Sequence, residues 1–142
     1  MKIFQRIIQF RPECSLEGAA KVADIVGYMN SSTDFTWYGW QVLAGAPVGS
    51  YGISTRVDSM TDMMAAQPAM FEDEGFVGRV AEMTAMYADP AQDWIMSPIA
   101  GSENMPSEPS EFLVNTINRS SYDKVSRGID LSQQFCSMVT GI

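Results

Sequence analysis

Residues 35–43 read Phe35-Thr36-Trp37-Tyr38-Gly39-Trp40-Gln41-Val42-Leu43, and residues 50–57 read Ser50-Tyr51-Gly52-Ile53-Ser54-Thr55-Arg56-Val57. Both stretches are rich in aromatic and β-branched side chains, which suit a pleated, half-buried surface. Between them Ala44-Gly45-Ala46-Pro47-Val48-Gly49 carries strong turn signals, so the pair is expected to form a hairpin. Successive strand residues point to opposite faces. Phe35 and Trp37 therefore fall on one side of the first strand, and Tyr38 and Trp40 on the other. In the second strand Tyr51, Ile53, Thr55 and Val57 share a face opposite Gly52, Ser54 and Arg56.

On the N-terminal side of this hairpin, residues 2–10 place Ile3, Gln5, Ile7 and Gln9 on one face. Phe4, Arg6, Ile8 and Phe10 fall on the other. Both faces are mainly apolar with polar inserts, which describes a strand covered on both sides with one side partly wet. Arg11-Pro12-Glu13 breaks it, Ser15 is the expected N-cap, and apolar residues from Leu16 to Met29 recur at helical spacing. Asn30-Ser31-Ser32-Thr33-Asp34 is expected to end that helix. On the C-terminal side, Met60, Met63 and Met64 begin a second helical region with an interruption expected near Pro68. It resumes at about Glu72, with Phe76, Val80, Met83 and Tyr87 on one side, and Asp89-Pro90 stops it. Residues 93–99 read as a fourth short strand whose Pro98 marks an edge or an end.

The resulting order over residues 2–99 is β-α-β-β-α-β, the split βαβ arrangement. An antiparallel sheet with helices on one face is an α+β solution, and its other face needs cover. The first strand and the aromatic strand both carry bulky apolar residues on two sides. A lone copy would then expose more apolar surface than the few hundred Å² that monomers usually tolerate. Sheet-to-sheet packing in a homodimer is the expected answer. Residues 1–100 form the expected main domain, and residues 101–110 a linker by composition. Residues 111–142 read as a further β-α unit, with Leu131, Phe135, Met138 and Ile142 at spacings of 4, 3 and 4. That unit is either an extension closing the barrel or the truncated start of a second repeat.

Composition bounds the chemistry. The chain has 142 residues, 9 basic and 17 acidic side chains, two cysteines and no histidine. Without histidine, Ser-His-Asp and Cys-His catalysis, His-bearing zinc sites and a proximal-His haem are excluded. Cys14 and Cys136 have no CxxC partner and are expected as buried thiols. The first ten residues lack the apolar core of a signal peptide, and no run approaches 18 apolar residues, so no membrane segment and a cytoplasmic location are expected. From Asp58 to Glu111 there are 11 acids against the single base Arg79. Such a segment repels a phosphate backbone, and no nucleic-acid partner is expected. It reads as a solvated acidic helical face, with an acidic docking surface as the alternative. Glu72-Asp73-Glu74 suits a helix N-terminus better than a metal, and no metal site is expected. Ser121-Tyr122-Asp123-Lys124 has the S-x-x-K spacing of serine acyl-enzymes but none of the accompanying motifs.

The polar-punctuated first strand, Trp37-Tyr38-Gly39-Trp40, the Gly49-Ser50-Tyr51-Gly52 entry to the third strand and the Met-rich broken helix carry a resemblance. Over about two-thirds of the chain, residues 2–99 resemble the dimeric α/β-barrel superfamily of ferredoxin-like domains. That superfamily includes antibiotic-biosynthesis-type monooxygenases, haem-degrading enzymes, chlorite dismutase-like proteins, muconolactone-isomerase-like enzymes and members without known activity. The resemblance implies a ligand between the sheet and the helices or within the barrel. The missing histidine departs from the haem branches, and no cofactor is expected.

A cofactor-free member needs only a pocket for an electron-rich aromatic substrate and a group that stabilises its anion. Trp37, Tyr38, Trp40 and Trp94 are the candidate ligand-binding aromatics, with Arg6 or Arg56 to pair with an anion. The plainer reading makes the aromatics core or interface residues and the arginines paired rim residues. The methionines at 60, 63, 64, 70, 83 and 86 read as adaptable core packing or, alternatively, an adaptable binding surface. The expected function is binding of a small apolar or aromatic ligand, with cofactor-independent oxygenation or isomerisation as its enzymatic form. The alternative is a non-catalytic binding or assembly module that uses the sheet face for protein contacts.

Overall fold

The computed structural model describes residues 1–98, 111 and 120–140. They fall into two compact units, Met1–Ser97 and Pro98–Ile142.

In the first unit the order is β1 (Lys2–Gln9), α1 (Ser15–Ser32), β2 (Trp37–Gln41), β3 (Ser50–Val57), α2 (Met60–Glu72), α3 (Glu74–Thr84) and β4 (Gln92–Met96). The strands form one antiparallel sheet in the order β2-β3-β1-β4. This is the expected ferredoxin-like α+β sheet with helices on one face. Its hairpin turn depends on Gly49, whose φ of 85° lies where a side chain is strained. In that conformation the Gly49 carbonyl accepts the Phe10 N–H at 3.0 Å, tying the turn to the end of β1.

The structure shifts several element ends. Pro12–Cys14 form a 3-10 turn, so the residue before α1 is Cys14, and Ser15 is already helical. α1 continues through Asn30, Ser31 and Ser32, because those polar side chains find partners without ending it. The Ser31 and Ser32 hydroxyls donate to the Tyr28 carbonyl, and Thr33 Oγ1 donates to that of Met29. The second helical region is continuous through Pro68 and breaks instead at Asp73. Proline removes one hydrogen bond from the ladder. Asp73 ends the helix more effectively, because its carboxylate accepts from Gly75 N at 2.8 Å and Phe76 N at 3.4 Å and caps α3.

Parity places Phe4, Ile8, Phe10, Trp37, Tyr51 and Ile53 on the helix side of the sheet. Ile8 and Phe10 are fully buried there against Val22, Ile25 and Met29 of α1 and Met83 of α3. Burying each large apolar side chain of this kind contributes about 1.5–3 kcal/mol. Gly18 on α1 lets that helix close onto the Phe10 ring: a Cβ there would lie 2.3 Å from Phe10 Cδ2. Cys14 is a free, half-buried thiol packed at the edge of this core.

In the second unit a 3-10 turn at Tyr122–Lys124 leads into α4 (Val125–Thr140). Tyr122, Leu131, Phe135 and Met138 are exposed. The expected linker at 101–110, the expected strand at 111–117 apart from Glu111, and the Cys136 side chain lie outside the described residues. Among the described residues, no helix is long and apolar enough to cross a membrane, and no group of acids and cysteines could hold a metal ion.

Candidate ligand-binding site

Between the helix side of the sheet and the three helices of the first unit lies a cavity of about 400 Å³. That volume is within the roughly 300–1,000 Å³ of small-molecule sites. Its floor is Phe4 of β1, Trp37 of β2 and Ile53 of β3, with Arg6 of β1 at its edge. Met29 of α1 and Phe76, Val80 and Met83 of α3 form its walls, and Met63, Met70 and Phe71 of α2 cover it.

Local capping sets these walls. Ser59 caps α2 by accepting from Thr61 N at 3.1 Å and Asp62 N at 3.4 Å, and Asp73 caps α3. Tyr28 of α1 donates its hydroxyl to the Asp73 carboxylate, at 2.7 Å to Oδ2, so the α2–α3 joint is tied to α1. This bond, aided by the two backbone N–H groups, holds the Asp73 carboxyl below its usual range, and it raises the Tyr28 phenol. The Arg79 guanidinium lies 4.2 Å over the Tyr28 ring. Arg79 Nε approaches Asp24 to 2.9 Å, close as a charge pair but not aligned as a hydrogen bond.

Trp37 is seated from three directions. The Asn30 side chain accepts from Trp37 N at 2.7 Å and donates to Trp37 O at 3.0 Å, reproducing the pairing a neighbouring strand would supply. The indole Nε1 donates to Thr33 Oγ1 at 3.1 Å, and Phe4 meets the ring edge-on at 6.2 Å.

The lining also carries polar groups. Arg6 donates from Nε and Nη2 to the two oxygens of Asp93, both at 2.7 Å. The register fixes this pair, because Arg6 on β1 lies directly opposite Asp93 on β4. Its side chains are 41% and 43% exposed, which puts the pair at the cavity's rim. The Asp93 hydrogen bond raises the Arg6 pKa against the opposing effect of burial. Nearby Tyr87 also has a raised pKa, chiefly through burial, with Arg6 pulling the other way. Its hydroxyl therefore stays protonated, a neutral hydrogen-bonding group that shares the lining with Gln67 and Thr84.

The structure sorts the six sequence candidates by sheet face. Arg6 and Trp37 line the cavity. Tyr38, Trp40, Arg56 and Trp94 lie on the opposite face of the same sheet, as their register shows. There Trp40 Nε1 donates to Ser54 Oγ at 2.8 Å, Tyr38 and Trp40 are 6.3 Å apart, and Trp94 sits opposite Gln5. The sequence reading did not single out Phe4, Phe35, Tyr87 or Asp93 as site residues. Of the methionines, Met63, Met83 and Met86 are buried as core packing expects, and Met63, Met70 and Met83 also line the cavity.

A NIPSNAP domain protein from Burkholderia xenovorans superposes with a TM-score of 0.59 at 14% identity, covering 70% of this chain and 96% of that one. A putative antibiotic biosynthesis monooxygenase from Nitrosomonas europaea gives a TM-score of 0.55 at 8% identity, covering 70% and 99%. The chain shares their ferredoxin-like fold. SnoaB, a cofactor-independent oxygenase from Streptomyces nogalater, gives a TM-score of 0.50 at 11% identity, covering 69% of this chain and 92% of that one. At these identities the likeness is one of fold, and fold alone does not carry function. No family model and no curated protein matches the chain.

Proposed function

We propose that this protein binds a small apolar or aromatic molecule between its sheet and helices. The observation that carries this reading is the cavity of about 400 Å³, walled mainly by aromatic and methionine side chains. Methionine is unbranched and polarisable, so these walls can adapt to a planar guest. The site supports binding more directly than turnover. Arg6, the group expected to stabilise a substrate anion, is already engaged by Asp93. Oxygenation or isomerisation without a cofactor is the enzymatic form of the proposal, and one cofactor-independent oxygenase shares the fold. Extraction of the purified protein and mass spectrometry of the extract should recover a small apolar compound. A Met70→Trp variant, which fills the cavity from α2, should lose it. Equal recovery from both proteins would contradict the proposal.

The opposite sheet face supports a second, compatible reading: two copies pack sheet to sheet in a homodimer. Ile3, Ile7, Tyr38, Trp40, Trp94 and Met96 share that face, and Trp94 remains 43% exposed in a single chain. Light scattering at micromolar concentration should give twice the chain mass, and Trp94→Glu should give a monomer. A wild-type monomer would remove this reading while leaving the cavity untouched.

A further inference from the structure

We infer that the cavity selects uncharged ligands, and that Asp93 sets this selectivity by occupying the Arg6 guanidinium. The inference rests on the proposal that the cavity is a ligand site. Among the described lining residues, Arg6 alone carries a formal charge. Two of its donors meet the two Asp93 oxygens in parallel, the arrangement in which a guanidinium fork matches a carboxylate most closely. Both residues project from paired strands, so the sheet register holds them together.

This arrangement disfavours guests of either sign. An anionic guest meets a guanidinium whose charge Asp93 already offsets, and elsewhere in the apolar lining it has no partner, which makes its burial costly. A cationic guest finds no carboxylate among the described lining residues, and Asp93 at the rim is already engaged by Arg6. The polar lining that remains, Gln67, Thr84 and Tyr87, is neutral and offers hydrogen bonds only. The ligand class that fits is an uncharged, largely apolar ring or chain with a hydroxyl or carbonyl that these groups can meet.

Two fluorescent probes that differ by one charge test this. N-phenyl-1-naphthylamine is neutral, and 8-anilino-1-naphthalenesulfonate is the same framework with a sulfonate. At low ionic strength the wild-type protein should bind the neutral probe at least ~10-fold more tightly, a factor set by one unpaired charge. Asp93→Asn should tighten the sulfonate by about 10-fold, leaving the neutral probe within about threefold, as expected for one freed guanidinium. Adding Arg6→Met to that variant should abolish the gain. Equal binding of the two probes by the wild-type protein overturns the inference, and that comparison needs no variant to fold. An unchanged probe ratio in a folded Asp93→Asn protein also overturns it. Met70→Trp should weaken both probes. If it leaves the neutral probe unaffected, the ligand-site proposal itself fails, which is a different result from loss of charge selectivity.

Discussion

Replacing Gly18 with alanine should destabilise the protein, although alanine is the better helix former. A Cβ at this position would lie 2.3 Å from Phe10 Cδ2 and 2.6 Å from both Cε2 and Cγ. Separations under 3.0 Å require something to move. Phe10 is fully buried, and its ring is held between Tyr51 at 5.5 Å and Tyr87 at 5.7 Å, so it has nowhere to go. Overpacking of a filled core costs about 1–3 kcal/mol, and this contact belongs near the top of that range. The gain in helix propensity returns at most about 1 kcal/mol, which leaves a net loss of about 2 kcal/mol. Gly27 on the same helix is the internal control, because a Cβ there meets nothing within 4 Å. Gly27→Ala should stabilise by about 0.5–1 kcal/mol. Urea unfolding followed by far-ultraviolet circular dichroism should therefore order the midpoints as Gly27→Ala, wild type, Gly18→Ala, with a similar slope for all three. A Gly18→Ala protein as stable as Gly27→Ala would refute the close packing of α1 on Phe10.

Asn30→Ala removes both bonds to the Trp37 backbone. It should cost about 1–2 kcal/mol, and faster amide exchange at Trp37 would localise the effect. Tyr28→Phe removes the donor that lowers the Asp73 pKa. A lowered carboxylate contributes stability above its unfolded pKa and loses it as pH falls through the folded value. The gap in melting temperature between wild type and Tyr28→Phe should thus be widest near neutrality and close below about pH 4, the ordinary aspartate range. A gap that persists unchanged at pH 3 would count against the Tyr28–Asp73 bond.

The aromatic hairpin and the alternating residues 2–10 made the order and class of the elements legible, because a period of 2 and turn chemistry are local properties. The helix break was misplaced for a local reason as well. Pro68 is a conspicuous breaker, whereas Asp73 acts through bonds to Gly75 and Phe76 that only the folded chain displays. Parity separated Trp37 from Tyr38 and Trp40 but did not say which side the helices cover. That is decided by α1, whose Val22 and Val26 approach β2 at Gly39 on the Trp37 side. The site's charge state was the least legible feature. Arg6 and Asp93 are 87 residues apart, and only the β1–β4 register makes them opposite.

The three tryptophans allow the most direct test of the cavity, because Trp37 lines it while Trp40 and Trp94 lie across the sheet. A Trp40→Phe/Trp94→Phe protein retains Trp37 as its single tryptophan, and Trp37→Phe/Trp40→Phe retains Trp94. Bromobenzene, a neutral apolar guest, quenches indole fluorescence on contact. The account predicts saturable quenching of the protein that retains Trp37 and no saturable quenching of the one that retains Trp94. Saturable quenching of Trp94 with none at Trp37 would contradict it.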